Sequence, residues 1–576
     1  MPGHAGNGFA ATGNPAATAA VQGQVMSKVM PLAEAVRQFV RPGMELYFGG
    51  SWAFPNAALF EIIRQFVGHD PRFTLILSTG GAASAGPFLA AGLARHAVAA
   101  FLGDGYPVPG PNPAIQRAIN SGSVTVENWT MLTLALRLLA GALNLPSIPT
   151  RSILGSSLED DLGDQFKRMS DTVGLIPALQ PDLTLTHGWA ADSEGNTLLP
   201  VPLAANAFGA LAAKEGAIVT VEKVVSPEVI RAHSFMARIP AHAVRAVCEA
   251  PFGAHPLGSL GLGLPDGDGY LEDRAFMLEA RAAARSETSQ ADWIRHWVLD
   301  CGDHTDSLAR LGPERLTALT HPSSASLSSA PVTEKITDGE RMIIAAAREI
   351  ARIARERDHC FILAGIGAAH LAAWLAEAQL RATGNAVTLL TEVGAVGFQP
   401  LPGDPFLFAL RNVPSASMTT DTLTVLGMLV GDERARCLGV LGAAQVDRYA
   451  NLNTTRLPDG GFLMGSGGAN DVTSTAAEVI VVARQSRARF VERVNYITSP
   501  GARVSTVITQ LGVYRKVGDE LSLSAVFGDE SAIHAAREAC GWDLRLAEEV
   551  AVLPLPMTAE REALRRFDPL GDLWHE

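Results

Sequence analysis

One carboxylate stands out for where the chain would put it. The run VTLLTEVGAVG over 387–397 is apolar up to Thr391, delivers Glu392, and places glycines two and five positions later, at Gly394 and Gly397. A buried strand ending in an acid holds the carboxylate where water is scarce. Glycines beside it let a ligand approach a backbone that carries no Cβ. A poorly hydrated carboxylate so placed can attack a carbonyl carbon. The same spacing suits an acid that caps the next helix, with Gly394 as a turn, and on spacing alone that second role is the more frequent one.

Two glycine-rich runs are candidates for holding what such a nucleophile would act on. The run MGSGGAND over 464–471 is a tight turn whose N–H groups can converge on an anion, and Gly467 and Gly468 are its candidate oxyanion donors. The run Gly365, Ile366, Gly367 opens a helical stretch at His370, and a helix N-terminus can hold a phosphate or a carboxylate. Either run is equally an ordinary turn before a helix, and His370 reads as a helix-surface histidine. No dinucleotide fingerprint, Walker sequence or GxSxG elbow is present. The five cysteines, Cys248, Cys301, Cys360, Cys437 and Cys540, stand alone without zinc-ligand spacing, so no metal site and no disulfide framework is expected.

The elements that must position these residues alternate between short apolar runs and amphipathic stretches. Strands are expected at 44–48, 73–78, 183–187 and 218–221, and helices at 56–66 and 370–377. Apolar runs that end in Gly-Gly or a polar residue and lead into helices describe βα units around a mainly parallel sheet, so the class is α/β. In such sheets ligands bind beyond the carboxyl ends of the strands. That rule selects Gly49, Gly50, Ser51 and Asn56 after the first strand, and Gly80 and Gly81 after the second, as candidate binding residues.

The 576 residues exceed one ordinary core, and the rhythm breaks once, at HPSSASLSSAPVT over 321–333. A capping-box spacing, Thr337 to Glu340, then opens a new helix. The expected division is a disordered tail over 1–26, a domain over 27–320, a linker over 321–336 and a second domain over 337–570. The halves echo each other: 44–50 matches 361–367, the DSEGN run over 192–196 matches DRYAN over 447–451, and 217–221 matches 479–482. A duplicated fold accounts for that shared order.

Composition excludes more than it selects. A net charge of −13 without a dense basic run argues against nucleic-acid binding. The apolar stretch over 131–149 is interrupted by Arg137 and ends in prolines, so it reads as a buried helix and turn and not as a membrane span. The start of the chain lacks the pattern of a signal peptide, and a reducing cytoplasm is the expected location.

Longer motifs give the chain a family resemblance. The runs FLGDGYPVPGPNP (101–113), the stretch 187–196 and PFGAHP (251–256) resemble the α subunit of the glutaconate CoA-transferase group of class I coenzyme A transferases. The runs TEVGAVGFQP (391–400), GAAQVD (442–447), 465–471 and YITSPG (496–501) resemble the β subunit. The resemblance covers nearly the whole chain outside the tail and linker. It implies two similar domains, each an open mainly parallel sheet flanked by helices, with both subunit types fused and the site between them. It implies a ping-pong transfer of coenzyme A from an acyl-CoA to a carboxylic acid, with Glu392 as nucleophile and a glutamyl-CoA thioester as intermediate. It further implies coenzyme A as substrate with no permanently bound cofactor, and a homodimer or homotetramer. Relatives commonly carry a side-chain amide where this chain has Met131, with Asn128 displaced by three positions. CoA-dependent ring-opening hydrolases of the same superfamily use an acidic residue near the position of Glu127. A hydrolase using Glu127 or Glu392 as base is therefore the alternative reading.

Overall fold

The computed structural model describes residues 27–50, 52–264, 267–321 and 335–575. The expected tail, most of the expected linker and Ser51 lie outside the described residues.

In the first half, strands β1 (Glu45–Gly49), β2 (Phe73–Gly80), β3 (Ala94–Leu102) and β4 (Thr125–Asn128) run side by side on one flank. Strands β5 (Leu183–Ala191), β6 (Ala217–Val224) and β7 (Val244–Glu249) continue the sheet on the other side of β1. All of these pairings are parallel. Parallel strands need crossovers that cover both faces, which is why these strands are apolar runs and not alternating ones. Every residue of β5 is buried. The expected strands are all present, with ends that differ by up to four residues, and helix α1 (Asn56–Phe66) has the expected limits.

The second half repeats the order. Strands β8 (Phe361–Ala364), β9 (Thr388–Leu390), β10 (Leu438–Leu441), β11 (Glu478–Val482) and β12 (Val504–Ile508) pair in parallel in the order β9-β8-β10-β11-β12. The first half has β2-β1-β5-β6-β7 in the corresponding places. The sequence echo at Asp192 and Asp447 is a repeated turn. Asp192 Oδ1 accepts from the N–H groups of Glu194, Gly195 and Asn196, and Asn196 Nδ2 returns to Oδ2 at 2.9 Å. Asp447 Oδ1 accepts from Tyr449 and Asn451 N–H, and Asn451 Nδ2 returns to Oδ2 at 3.1 Å. The fold is thus a duplicated α/β unit. Beyond β12 the second sheet departs from the first: Gly512–Val517 and Glu520–Val526 add as antiparallel strands, and Arg545–Val552 closes the edge.

One helix ties the halves together, and another opens the second. Helix α2 (Met131–Ala142) is capped by Thr130, whose Oγ1 accepts from Thr133 N while Thr133 Oγ1 accepts from Thr130 N. Its residues Met131, Leu132 and Ala135 pack into the core of the second half, with Ile362, Leu438 and Val440. Helix α3 (Asp338–Glu356) begins at the expected capping box: Thr337 Oγ1 accepts from Glu340 N at 3.1 Å and Glu340 Oε2 from Thr337 N at 3.0 Å. No helix among the described residues is long and apolar enough to cross a membrane.

Candidate active site

The carboxyl ends of the two sheets face a shared cleft of about 830 Å³. Glu392 lies in its wall, two residues after β9, as Gly81 lies just after β2 in the first half. The turn that carries Glu392 is tightly made. Thr391 N donates to Ala395 O, Gly394 N to Thr391 O, and Ala395 N to Thr391 Oγ1. Gly394 has φ +119°, and a Cβ there would stand 2.1 Å from Thr420 O, so only glycine fits. The first half holds the same turn from across the interface, through Ala204 N donating to Val393 O at 3.2 Å.

Helix α4 (Ala368–Ala382) starts beneath the cleft, and Gly365, Ile366 and Gly367 line it as expected. Gly367 N donates to His370 Nδ1 at 2.9 Å, so the ring's Nε2–H donates to Pro405 O. His370 is buried and not a surface residue, and burial lowers its pKa to about 4. It is a neutral structural group.

The glycine turn after 464 behaves differently from its expected role. Gly467 N donates to Ala100 O at 2.9 Å, and Gly467 O accepts from Met131 N at 3.0 Å. With Leu102 N on Met464 O at 2.7 Å, these bonds sew the turn onto the first half. Gly467 lines the cleft, but its N–H is spent and is not an oxyanion donor in this arrangement. Gly468 N–H does face the nucleophile: it donates to the Glu392 carboxylate. A Cβ at Gly468 would lie 2.1 Å from Glu392 Oε2, which measures how closely backbone and carboxylate meet.

A second carboxylate stands behind the first. Asp471, in the short helix α5 (Ala469–Thr475), is fully buried and accepts from Thr130 Oγ1 at 2.6 Å and from Leu132 N at 3.0 Å. It therefore sits at the N-terminus of α2, where the helix dipole favours an anion. Burial raises the Asp471 pKa to about 6, against the opposing hydrogen bonds. Burial first, and the Asp471 charge second, raise Glu392 to about 7. A carboxyl held in that range is partly ionised at neutral pH and poorly solvated, the condition a nucleophilic carboxylate requires. Sequence reading passed over Asp471 because its partners are more than three hundred residues away.

The remaining expected residues divide by position. Asn56, Gly80 and Gly81 line the cleft. Gly49 and Gly50 do not. Gly49 packs beside Tyr47 and Thr186, and Gly50, at φ +135°, turns the chain under Ala53 and Phe54. Gly397, at φ +70°, abuts Ser417 and, like Gly394, shapes the Glu392 turn without lining the cleft. Asn128 lies behind the glycine turn, with Nδ2 on Ala99 O and Ala100 O. Met131 is core. Glu127 is outside the cleft and fully engaged: Oε1 accepts from Trp129 Nε1 and Arg137, and Oε2 from Gln165. Burial opposes its ionisation, but these bonds outweigh it and hold its pKa low, which does not suit a general base.

Cleft residues that sequence reading missed include an aromatic wall. Tyr106 and Phe406 meet edge to face with centroids 5.5 Å apart, and Phe406 meets Phe408 at 5.9 Å. Of the two aromatic residues that the sequence offers for an apolar portion of the substrate, Phe54 lines the cleft, whereas Trp52 is core, with its indole N–H on Phe408 O. Asp572 and Leu573, past the expected end of the second domain, also line it.

The comparisons with known proteins agree with this geometry. A family model described as coenzyme A transferase matches residues 29–250 and 343–520. The first of the two subunits of the glutaconate CoA-transferase from Acidaminococcus fermentans is 29% identical over 316 residues, 50% of this chain and 94% of that protein. The second of the two subunits of a 3-oxoadipate CoA-transferase, from Pseudomonas knackmussii, is 32% identical over 258 residues, 40% of this chain and 92% of that protein. Similarity to both types of subunit is consistent with their fusion here. An acyl-CoA transferase of Escherichia coli, solved as a thioester complex with CoA, covers 94% of this chain and 96% of its own at a TM-score of 0.64 and 16% identity, which shows a shared fold.

Proposed function

Because the chain belongs to the coenzyme A transferase family, we propose that it moves coenzyme A from an acyl-CoA to a free carboxylic acid by a ping-pong route through Glu392. The observation that carries this reading is the Glu392 carboxylate itself. It is desolvated in the wall of an inter-half cleft and hydrogen-bonded by the Gly468 N–H.

In the first step a Glu392 oxygen attacks the thioester carbon, the C–S bond breaks, and CoA leaves as thiolate from an acyl-glutamyl anhydride. The thiolate then attacks the glutamyl carbonyl, the acyl carboxylate departs, and a glutamyl-CoA thioester remains. A second carboxylate runs the same steps backwards, so no net proton or electron is required. One thioester replaces another, and the barrier lies in the tetrahedral oxyanions. When the thiolate attacks Glu392, the oxyanion forms on the glutamyl oxygen that is not bonded to the acyl group, and Gly468 N–H, which already bonds the carboxylate, is the donor on hand to stabilise it.

The same reading takes 27–320 as the α-type unit and 337–570 as the β-type unit that supplies the nucleophile. A homodimer or homotetramer and a cytoplasmic location belong to it through the family resemblance, and light scattering checks the former. The decisive experiment adds acyl-CoA without an acceptor acid, traps the enzyme with borohydride or hydroxylamine, and maps the modified peptide. One equivalent of adduct on Glu392, and no CoA exchange in Glu392→Ala, is the expected result. Full exchange in Glu392→Ala overturns the proposal, and rapid multiple turnover without acceptor replaces it with hydrolysis.

A further inference from the structure

The part of the cleft lined from the first half and from 406–408 carries chemistry that the transfer step does not use. Its wall is built by Phe54, Tyr106, Leu257, Met277, Phe406 and Phe408, an apolar and largely aromatic lining. Beside Tyr106 the wall also carries the Asp572 carboxylate, and the nearest cation of the lining is engaged. The guanidinium of Arg281 is bound to the carbonyls of Tyr106 and Val108, each at 2.8 Å, and faces the buried Asp104 at 3.5 Å. Asp104 in turn is held by Asn112 Nδ2 and Ala82 N. The other arginines of the cleft, Arg484 and Arg489, come from the second half beyond β11. Arg489 is exposed, so that side suits the phosphates of coenzyme A at the mouth.

The apolar wall is interrupted at Asn56. Asn56 is buried and lines the cleft, its Nδ2 donates to Ala254 O at 3.1 Å, and its Oδ1 is buried with no partner. The bond to a carbonyl fixes which end of the amide is nitrogen, so the unmatched atom is an acceptor. A buried acceptor without a donor costs free energy that a ligand hydroxyl recovers.

We propose that this pocket selects apolar monocarboxylic acids that carry a hydroxyl group on the acyl chain or ring, the hydroxyl donating to Asn56 Oδ1, and that it rejects dicarboxylic acids. A second carboxylate would lose its water against aromatic rings, beside Asp104 and Glu392, with Arg281 already neutralised. The inference rests on Glu392 as the group that accepts coenzyme A, and its test keeps the two apart.

The purified full-length enzyme is given acetyl-CoA and one acceptor at a time: hexanoate, 6-hydroxyhexanoate, adipate, 3-phenylpropanoate and 3-(4-hydroxyphenyl)propanoate. New acyl-CoA is read by mass spectrometry, and the Glu392 adduct is read separately. Each hydroxylated acid is expected to exceed its plain counterpart in kcat/KM by about tenfold, the scale of one recovered buried hydrogen bond. Adipate is expected to fall below hexanoate by about a hundredfold. In Asn56→Ala the ratio of hydroxylated to plain acid should collapse towards one. Adipate used as well as hexanoate, or equal rates for hydroxylated and plain acids in the parent enzyme, overturns the substrate class while leaving the transferase reading intact. Absence of a Glu392 adduct with every acyl donor overturns that reading instead.

Discussion

Gly468 and Glu392 are fitted so closely that a methyl group on Gly468 would stand 2.1 Å from Glu392 Oε2. The obstructed atom is the tip of a side chain, so the fold can absorb Gly468→Ala by moving the carboxylate aside. The expected outcome is a folded enzyme with a melting temperature near the parent's and a misplaced nucleophile. A displacement of about 1 Å costs on the order of a hundredfold in rate. Single-turnover formation of the Glu392 adduct measures it. Parent-like adduct formation in a folded Gly468→Ala enzyme would remove Gly468 from the mechanism.

The same carboxylate is expected to cost stability. The Glu392 pKa rises from 4.5 to about 7, with burial the larger cause and Asp471 the smaller. A carboxyl whose folded pKa is raised gives its full relative stability below pH 4.5 and loses it as pH climbs through 7. Glu392→Gln keeps the shape and an oxygen for Gly468 N–H, and never ionises. It should be inactive, and more stable than the parent at pH 8 by on the order of 3 kcal/mol, since one pKa unit is about 1.4 kcal/mol. Near pH 4.5 the gap should close. Denaturant melts at the two pH values check the sign, and a gap larger at low pH refutes it.

Asp471 is expected to set where activity appears on the pH axis. Adduct formation needs the Glu392 carboxylate, so its rate should rise through about pH 7 and level off above. The neighbouring Asp471, itself raised to about 6, couples to that titration. Asp471→Asn removes the like charge but leaves the larger cause, desolvation of Glu392, in place, so the rising limb should move down in pH and stay above the range of an ordinary carboxylate. An unmoved limb would mean that the two groups are electrically independent, whatever the loss in overall rate.

Much of the scaffold was legible because its signals are local. The apolar runs at Leu183 and Ala217 are buried on both faces, so composition alone marks them as parallel strands, and the Asp192 and Asp447 turns repeat a motif that is visible in one dimension. What failed depends on contacts between distant residues. The N–H of Gly467 looks available in the run MGSGGAND, yet Ala100 O, on the far side of the domain interface, consumes it. Glu127 looks free in sequence, yet Arg137 and Gln165 close around it. Asp471 looks like a helix-start acid, and it is one, but the helix it serves belongs to the other half of the chain. The antiparallel extension beyond β12 was not read, since Glu520–Val526, though mostly buried, alternates polar with apolar residues, and Arg545–Val552 at the edge is largely exposed, so neither carries a continuous apolar run.

Glu340 joins a legible signal to an illegible one. Its capping box with Thr337 is plain in the sequence, but the structure also buries its carboxylate completely between Arg561 and Arg565, at 3.0 and 2.8 Å. Both arginines belong to the helix Thr558–Phe567, which leads to Asp572 and Leu573 in the cleft wall. Removing the shared carboxylate takes the counter-charge from two buried guanidinium groups, a cost of about 3–5 kcal/mol. Glu340→Ala is therefore expected to melt well below the parent and to expose its last helix to limited proteolysis first. Because that helix carries part of the cleft wall and none of the reacting groups, KM for acyl-CoA should rise by more than kcat falls in the fraction that remains folded. A fall in kcat alone, with KM unchanged, would show that the C-terminal segment does not help bind the substrate, and would separate the stability role of Glu340 from any role in the cleft.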